Sequence, residues 1–380
     1  MRILHLIPFL WSGAGDVVSR LAASQRGAGH EVLVVTSGVS RGQRDWPAYR
    51  RRLRQAGVGW QRLEFFDRQP EAFWPAVDRL VALAGQWRPD VMHAHAGAPT
   101  GAAVLAATAT SRRIPVVSQF YNWGPGRPSW MDAMDTTALR AADLVVCSAT
   151  HYRTRLHELG VSRRRVRLVP WGLDDEWFVE RRAPGAPGVP TIGFVGRIEP
   201  RKGQLELVRA FARVQRQRTG TRLELVGPVA DADYAAAVAE AITAAGLTDH
   251  VRLVGHVGDV RPHLARWSAF VSLSRDEGQG LAVIEAMAAG VPVLARRVPG
   301  VEDVVRDGRT GVVIPAGTPA AQGACLARAL DRPAELAALA RRARAHVTRH
   351  YRWSGTVAAI AAAYEAARSA AATSERRRPR

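Results

Sequence analysis

Cysteine is scarce: 380 residues hold two, Cys147 and Cys325. Two thiols so far apart exclude a disulfide framework and a cysteine-based zinc module, and they point to a reducing compartment. Cys147 falls within an apolar run and reads as a buried, inert thiol. No run reaches the about 18 apolar residues that a membrane-spanning helix needs. The opening apolar stretch, 3–11 behind Arg2, is too short for a secretory leader with a cleavage site and reads as a first strand. Acidic residues are few beside basic ones, 34 Asp plus Glu against 53 Lys plus Arg, for a net charge of +19 carried mainly by arginine. Such an excess draws anions: nucleotides, phosphorylated lipids, an acidic membrane face or nucleic acid. The arginines are dispersed and no helix-turn-helix or zinc finger is present, which argues against nucleic acid.

What the chain does hold is apolar residues, 47% of the total, and 34 glycines. This composition suits a packed α/β protein, and the length exceeds a single core, so two domains are expected. Short apolar runs at 3–7, 31–36, 91–92, 116–117, 144–147 and 166–169 are separated by turns or helical patterns such as 17–26. That alternation predicts a parallel sheet covered on both faces. A Pro-, Gly- and Ala-rich stretch at 181–190 reads as a linker. A second series follows, with strands at 191–195, 222–226, 251–254, 269–273, 291–295 and 310–314 and helices at 205–215, 234–245 and 282–289. The expected organisation is a first α/β domain over 1–180, a second over 181–350, a terminal helix over 351–372 that packs back across the domains, and a basic tail over 373–380. Ligands of open parallel sheets bind beyond the carboxyl ends of the strands, so the strand–helix junctions are where chemistry is sought.

The strongest junction runs from Arg275 to Pro292. Glu277, Gly278, Gln279, Gly280 and Leu281 follow an apolar strand, and a helix should begin near Gly280 with its free N–H groups available to an anion or to hydroxyls. Glu277 and Glu285 would lie about 80° apart on one continuous helix. Glu277 is therefore placed in the loop and Glu285 in the helix, a pair suited to hydroxyl recognition or, more plainly, a helix cap and a surface acid. A second junction places Gly196, Arg197, Lys202 and Gly203 after strand 191–195. Two cations at a strand end can clamp a diphosphate and stabilise its departure, or simply be solvated.

In the first half, Ser12-Gly13-Ala14-Gly15-Asp16 lacks the full dinucleotide fingerprint. It reads as a tight turn, with Gly13 and Gly15 near the donor or acceptor. His93 and His95 end a strand. They allow a metal site, an acceptor pocket lined by His95, or ordinary packing, and no third histidine or cysteine lies near them in sequence. A polar-aromatic loop, Ser118 to Trp130, offers Gln119, Phe120, Tyr121, Asn122 and Trp123 for sugar stacking or for structural packing. Trp171 could join it or pack. Arginine-rich zones at 41–54 and 151–167 suit an anionic acceptor or an acidic membrane face, or are solvated. Asp231-x-Asp233 has metal-like spacing but stands at a helix start.

These residues resemble glycosyltransferase family 4, the retaining enzymes with the GT-B fold of two Rossmann-like domains whose parallel sheets face a central cleft. The resemblance covers nearly the whole chain and is strongest from 191 to 314. The family's Gly-Arg and Lys-Gly are similar to Gly196-Arg197 and Lys202-Gly203, which by resemblance bind the donor diphosphate. Its E-x7-E is matched by Glu277 and Glu285, implying contact with the donor sugar and the ribose. Gly255-His256-Val257 resembles the loop bracketing the nucleobase. Gln279 stands where relatives often have Phe, which implies that its side chain alters contacts with the donor sugar, and Pro299-Gly300-Val301-Glu302-Asp303 keeps only part of a Gly-Gly-x-x-Glu. Tyr121 takes the place of a histidine near the reacting sugar. The resemblance implies a hexosyltransferase with a nucleoside-diphosphate sugar as donor and a glycan, lipid-linked or small-molecule acceptor. It implies a cytoplasmic protein that can sit at the inner membrane face, and no metal or other cofactor. Arg197, Lys202, Glu277, His95 and Tyr121 are the expected catalytic groups. The alternatives are a GT-B protein that binds nucleotide sugars with altered catalysis, or a sugar-nucleotide epimerase.

Overall fold

The computed structural model describes residues 1–37, 47–65, 70–121, 127–179 and 189–376. Asn122 to Gly126 of the aromatic loop, 41–46 of the first arginine zone, most of the 181–190 linker and 377–380 of the basic tail lie outside the described residues.

The apolar runs form strands because a parallel sheet sheltered on both faces needs apolar side chains on both. Among the described residues one sheet has seven strands, all from such runs except the third, which is polar: β1 (Arg2–Ile7), β2 (Glu31–Thr36), β3 (Gly59–Arg62), β4 (Val91–His95), β5 (Val116–Gln119), β6 (Leu144–Cys147) and β7 (Val166–Leu168). Six form another: β8 (Thr191–Val195), β9 (Arg222–Val226), β10 (Val251–Gly255), β11 (Ala269–Ser272), β12 (Val293–Arg296) and β13 (Val312–Ile314). Between the strands of the first run α1 (Ser12–Gly27), α2 (Pro47–Gln55), α3 (Pro70–Trp87), α4 (Gly97–Ala109), α5 (Ser129–Ala141) and α6 (Thr150–Glu158). The second series has α7 (Gln204–Gln217), α8 (Ala232–Ala244), α9 (Arg261–Leu264), α10 (Leu281–Ala288), α11 (Pro319–Leu330) and α12 (Pro333–His350), and α13 (Trp353–Arg376) ends it. Among the described residues no helix is long and apolar enough to cross a membrane.

Strand order is β3-β2-β1-β4-β5-β6-β7 in the first sheet and β10-β9-β8-β11-β12-β13 in the second, with parallel pairing. Both orders reverse direction once, between β1 and β4 and between β8 and β11. In the first sheet, Leu4, Leu6, Val35, Met92 and Val116 pack on α3 and α4, and Ile7, Val32 and Val34 on the opposite face meet Val18 and Ala22 of α1 and Leu53 of α2. In the second, Ile192, Phe194 and Leu225 meet Leu207 and Phe211 of α7, and Phe270 and Val293 meet Val283 and Met287 of α10.

The chain divides into two compact units, Met1–Pro170 with Thr356–Arg380, and Trp171–Gly355. The division falls at 170/171 and not at 180, and the terminal helix goes with the first unit. The reason is local bonding. Trp171 is held by Gln279, and Leu173 exchanges backbone hydrogen bonds with Tyr351 and Trp353 at 2.8 Å each. Thr356 donates to Pro170 O at 2.7 Å, and the phenol of Tyr364, on α13, is buried against Gln25 and His93.

Candidate functional site

Where strand order reverses, the loops leaving adjacent strands diverge and open a crevice at their carboxyl ends. In the second unit these are the β8–α7 and β11–α10 loops, and both carry charge. After β8 come Gly196 and Arg197, then a single 3-10 turn, Pro200–Lys202, closed by Gly203 at φ +71°. A Cβ on Gly203 would lie 2.3 Å from Leu273 O, so only glycine lets the turn sit on the end of β11. The two loops are tied through Arg275 N, which donates to Arg201 O at 2.8 Å.

The side chains follow that backbone. Lys202 Nζ donates to both oxygens of Glu277, at 2.7 and 2.8 Å, and each side chain is only 14% exposed. Arg201 reaches Asp276 Oδ2 at 3.4 Å and Glu199 Oε1 at 3.1 Å, and Arg197 reaches the same Glu199 oxygen at 3.0 Å. Burial would lower the Arg201 guanidinium, but Glu199, Glu277 and Asp276 outweigh it and hold it above its ordinary value. Three cations and three carboxylates thus interlock at the strand ends. Lys202 is the only lysine in the sequence. Arg201 and Glu199 were not singled out from sequence; their signal was three charged residues within four positions of Lys202.

Helix α10 starts where expected, with Gly280 as N-cap at φ +70° and Leu281 first in the helix. Glu277 and Gly278 are in the loop and Glu285 in the second turn. Gly300 backs this loop. Its φ is +86°, and a Cβ there would meet Glu277 O at 2.6 Å and Gly278 O at 2.7 Å. Gln279 departs from expectation. Its amide accepts from Trp171 N at 2.8 Å and donates to Trp171 O at 2.7 Å, and it is 5% exposed. That side chain fastens the entry of the second unit, so it is not available to a sugar, and Trp171 is a packed residue at 3% exposure. Gly255, at φ +81°, ends β10, with His256 and Val257 after it. Asp231 is a helix cap, accepting from Tyr234 N at 2.9 Å.

In the first unit two expectations change. Gly13 and Gly15 are not in a tight turn but in the first turn of α1, where Gly15 N donates to Trp11 O at 3.0 Å. A Cβ on Gly15 would lie 2.5 Å from the Leu10 carbonyl carbon, so the residue serves close packing of the helix start. His95 does not line an open pocket: it is 0% exposed, as are His93 and His5. Register sets His5 of β1 opposite His93 of β4, and side chains two apart share a face, so all three rings lie together on the face that α1 covers. His5 Nδ1 is 3.1 Å from His95 Nε2, and His5 Nε2 is 2.7 Å from Gln25 Oε1. His93 Nδ1 is 2.7 Å from Tyr364 Oη, and His95 Nδ1 is 3.2 Å from the hydroxyl of Tyr121. Burial lowers the pKa of all three histidines, His5 to about 4, and raises those of Tyr121 and Tyr364. The sequence reading missed His5; the available signal was a polar residue inside the apolar run Leu4-His5-Leu6.

Residues 178–346 match the family Glycosyl transferases group 1, and residues 11–177 match Glycosyltransferase Family 4. The chain is similar to a glycogen synthase of Mycobacterium tuberculosis, 28% identical over 97% of this chain and 95% of that protein. It is 31% identical to D-inositol 3-phosphate glycosyltransferase 1 of Catenulispora acidiphila over 73% of this chain and 72% of that one. Among solved structures it resembles Anabaena HepE in complex with UDP and glucose, with a TM-score of 0.80 at 20% identity over 95% of this chain and 98% of the other. That neighbour shares the two-unit GT-B architecture of parallel α/β sheets.

Proposed function

Because this chain belongs to glycosyltransferase family 4, with its residues 178–346 matching the group 1 glycosyl transferases, we propose that it moves a hexose from a nucleoside-diphosphate sugar to an acceptor hydroxyl, with the donor's anomeric configuration retained. The observation that carries this reading is the contact of Lys202 with Glu277 at the switch point of the second sheet. The charges there are balanced among themselves. A diphosphate is an anion that competes for the same cations, through charge-assisted hydrogen bonds of similar geometry.

Donor binding is therefore an exchange. Lys202 and Arg197 pass from carboxylate to phosphate oxygens. Glu277, released from Lys202, accepts hydrogen bonds from the sugar hydroxyls. Glu285 takes the ribose. The 255–257 turn, two strands from β8 and so about 10 Å away at ordinary strand spacing, takes the base. As the bond from the anomeric carbon to the diphosphate breaks, charge grows on the leaving phosphate and the cations stabilise it. The acceptor oxygen bonds to the same face of that carbon and gives its proton to the departing phosphate oxygen. Cationic side chains, not a metal ion, supply the charge at this step. The UDP and glucose held by the Anabaena neighbour favour a UDP-sugar as the first donor to try. On the acceptor side, the exposed arginines 153, 155, 163, 164, 165 and 167 of the first unit suit an anionic or lipid-linked acceptor, or a protein held at an acidic membrane face on the cytoplasmic side.

The single lysine gives a direct test. A phosphate-bearing aldehyde followed by borohydride labels amines, which here are Lys202 and the chain's first amino group. Peptide mapping separates the two. A panel of UDP-, GDP-, ADP- and TDP-sugars is expected to contain one donor that protects Lys202 and supports transfer or slow hydrolysis. A folded protein whose Lys202 is labelled at the same rate with every donor overturns the reading.

A further inference from the structure

The strand reversal in the first unit holds a cluster that the transfer reaction above does not use. His5, His93 and His95 are each 0% exposed, and one nitrogen from each lies within 4.8 Å of the other two. Every ring also turns its other nitrogen outward onto an oxygen: His5 Nε2 onto Gln25 Oε1, His93 Nδ1 onto Tyr364 Oη and His95 Nδ1 onto Tyr121 Oη. Histidines that bind metals are oriented in this way, with the outward N–H given to an oxygen that fixes tautomer and ring plane.

The inward nitrogens are where a ligand is called for. Gln25 Oε1 only accepts, so His5 carries its proton on Nε2 and presents a lone pair from Nδ1. That lone pair faces His95 Nε2 at 3.1 Å. Two imidazole nitrogens on a tetrahedral zinc ion, each about 2.0–2.1 Å from it, are about 3.3 Å apart. The third inward nitrogen, His93 Nε2, is buried with no hydrogen-bond partner among the described residues. A metal-free cluster can satisfy His5 and His95 by placing a proton between them, but His93 Nε2 stays desolvated and unpaired as donor or as acceptor, which is a costly state for a buried polar atom. Gln119, opposite His95 on β5, adds a second orphan in the same layer: its Oε1 is also buried and unpartnered among the described residues.

We propose that His5 Nδ1, His93 Nε2 and His95 Nε2 bind one borderline divalent transition-metal ion of the zinc class, inside the first unit. Neutral imidazole is the form such ions require, and the outward hydrogen bonds leave each ring one inward nitrogen to offer. The site is structural. It joins β1 to β4, and through the Gln25 and Tyr364 contacts it fastens α1 and α13 onto the sheet. With every ligand fully buried, loading and release need local opening, so exchange is slow.

The test uses the full chain without an affinity tag of histidines. The protein is stripped with a chelator, shown to be folded by circular dichroism, and titrated with Co²⁺ and then with Zn²⁺. One equivalent of Co²⁺ is expected, with the visible absorption of a nitrogen-ligated, low-coordinate ion, displaced by Zn²⁺ and accompanied by a rise in Tm. His93→Asn should weaken binding at least 100-fold. Tyr364→Phe keeps all three rings, and removing its oxygen should weaken binding 10- to 100-fold; it also stands in for His93→Asn if that variant does not fold. His350→Asn, which breaks the surface pair with His346 on α12, should change nothing. A folded wild-type chain that takes up no stoichiometric Co²⁺ or Zn²⁺ overturns the proposal. So does binding that survives both His93→Asn and Tyr364→Phe, or that is lost with His350→Asn.

Discussion

The two sheets reverse strand order in the same way, between β1 and β4 and between β8 and β11, yet they furnish the reversal with opposite chemistry. In the second unit the polar groups stand on the loops beyond the strands, they are charged, and they pair across two loops: Lys202 with Glu277, Arg201 with Asp276. In the first unit they stand within the strands, they are neutral, and they are fully buried: His5, His93 and His95. Charges at a strand end can be exchanged for those of an incoming anion without disturbing the sheet. Rings inside a sheet cannot be reached without opening it. The same topology therefore carries a set of strand-end ion pairs in one unit and a locked interior cluster in the other.

The largest effect that separates the two is expected from Lys202→Ala. It removes the only amine in the interlocked set and should lower transfer at least 100-fold, about 2.7 kcal/mol of transition-state stabilisation. Donor titrations and kcat/KM measure it, and Lys202→Arg should restore part of the loss because the charge returns with different geometry. Transfer within threefold of wild type in Lys202→Ala would break the contrast, since the loops of the second unit would then be structural as well.

How much of this was legible in the sequence follows from the same contrast. The second unit's chemistry is local in the chain. Arg197 and Lys202 flank one turn, and Glu277, Gly280 and Glu285 flank one helix start, so spacing located them, while the family resemblance supplied the roles expected of them. The first unit's cluster is made by strand pairing that brings His5 against His95, 90 positions away, and by Tyr364, 271 positions beyond His93. No local spacing encodes that, which is why His93 and His95 looked like a pair without a third partner. Gly13 and Gly15 misled for a related reason. A glycine needed for close packing of a helix on Leu10 and one needed for a turn look alike until the neighbour is known. The strands themselves were legible because parallel sheets write apolar runs, while β3, a polar edge strand of Gly59–Arg62 with its side chains mostly exposed, was not.

A middling effect is expected from Gln279→Leu. The buried amide pairs with both backbone groups of Trp171, and leucine leaves an N–H and a C=O without partners. About 1–3 kcal/mol of stability should be lost, read as a lower urea midpoint. The donor's KM should stay nearly constant, because the side chain faces Trp171 and not the exchange site. A large rise in KM with unchanged stability would return Gln279 to the sugar and redraw the loop's role.

The smallest effect concerns an interior polar group that the second unit does possess. Glu224, on β9, accepts from Trp267 Nε1 at 2.9 Å and lies 3.0 Å from His263 Nδ1 and 3.7 Å from Arg266. Burial pushes its carboxyl up, but the hydrogen bonds from His263 and Trp267 and the Arg266 charge outweigh burial, so its pKa lies below the ordinary value. A carboxyl depressed in the folded state binds fewer protons there than in the unfolded chain. Its contribution is thus whole above the unfolded pKa of about 4.3 and is lost as pH falls through the lower folded value. Urea unfolding of the wild type should accordingly weaken below about pH 4.3, and Glu224→Gln should flatten part of that decline while costing some stability at neutral pH. If the acid slope is the same in both proteins, the ionised cluster beneath β9 contributes nothing measurable. The contrast between the units would then rest on the strand-end charges alone.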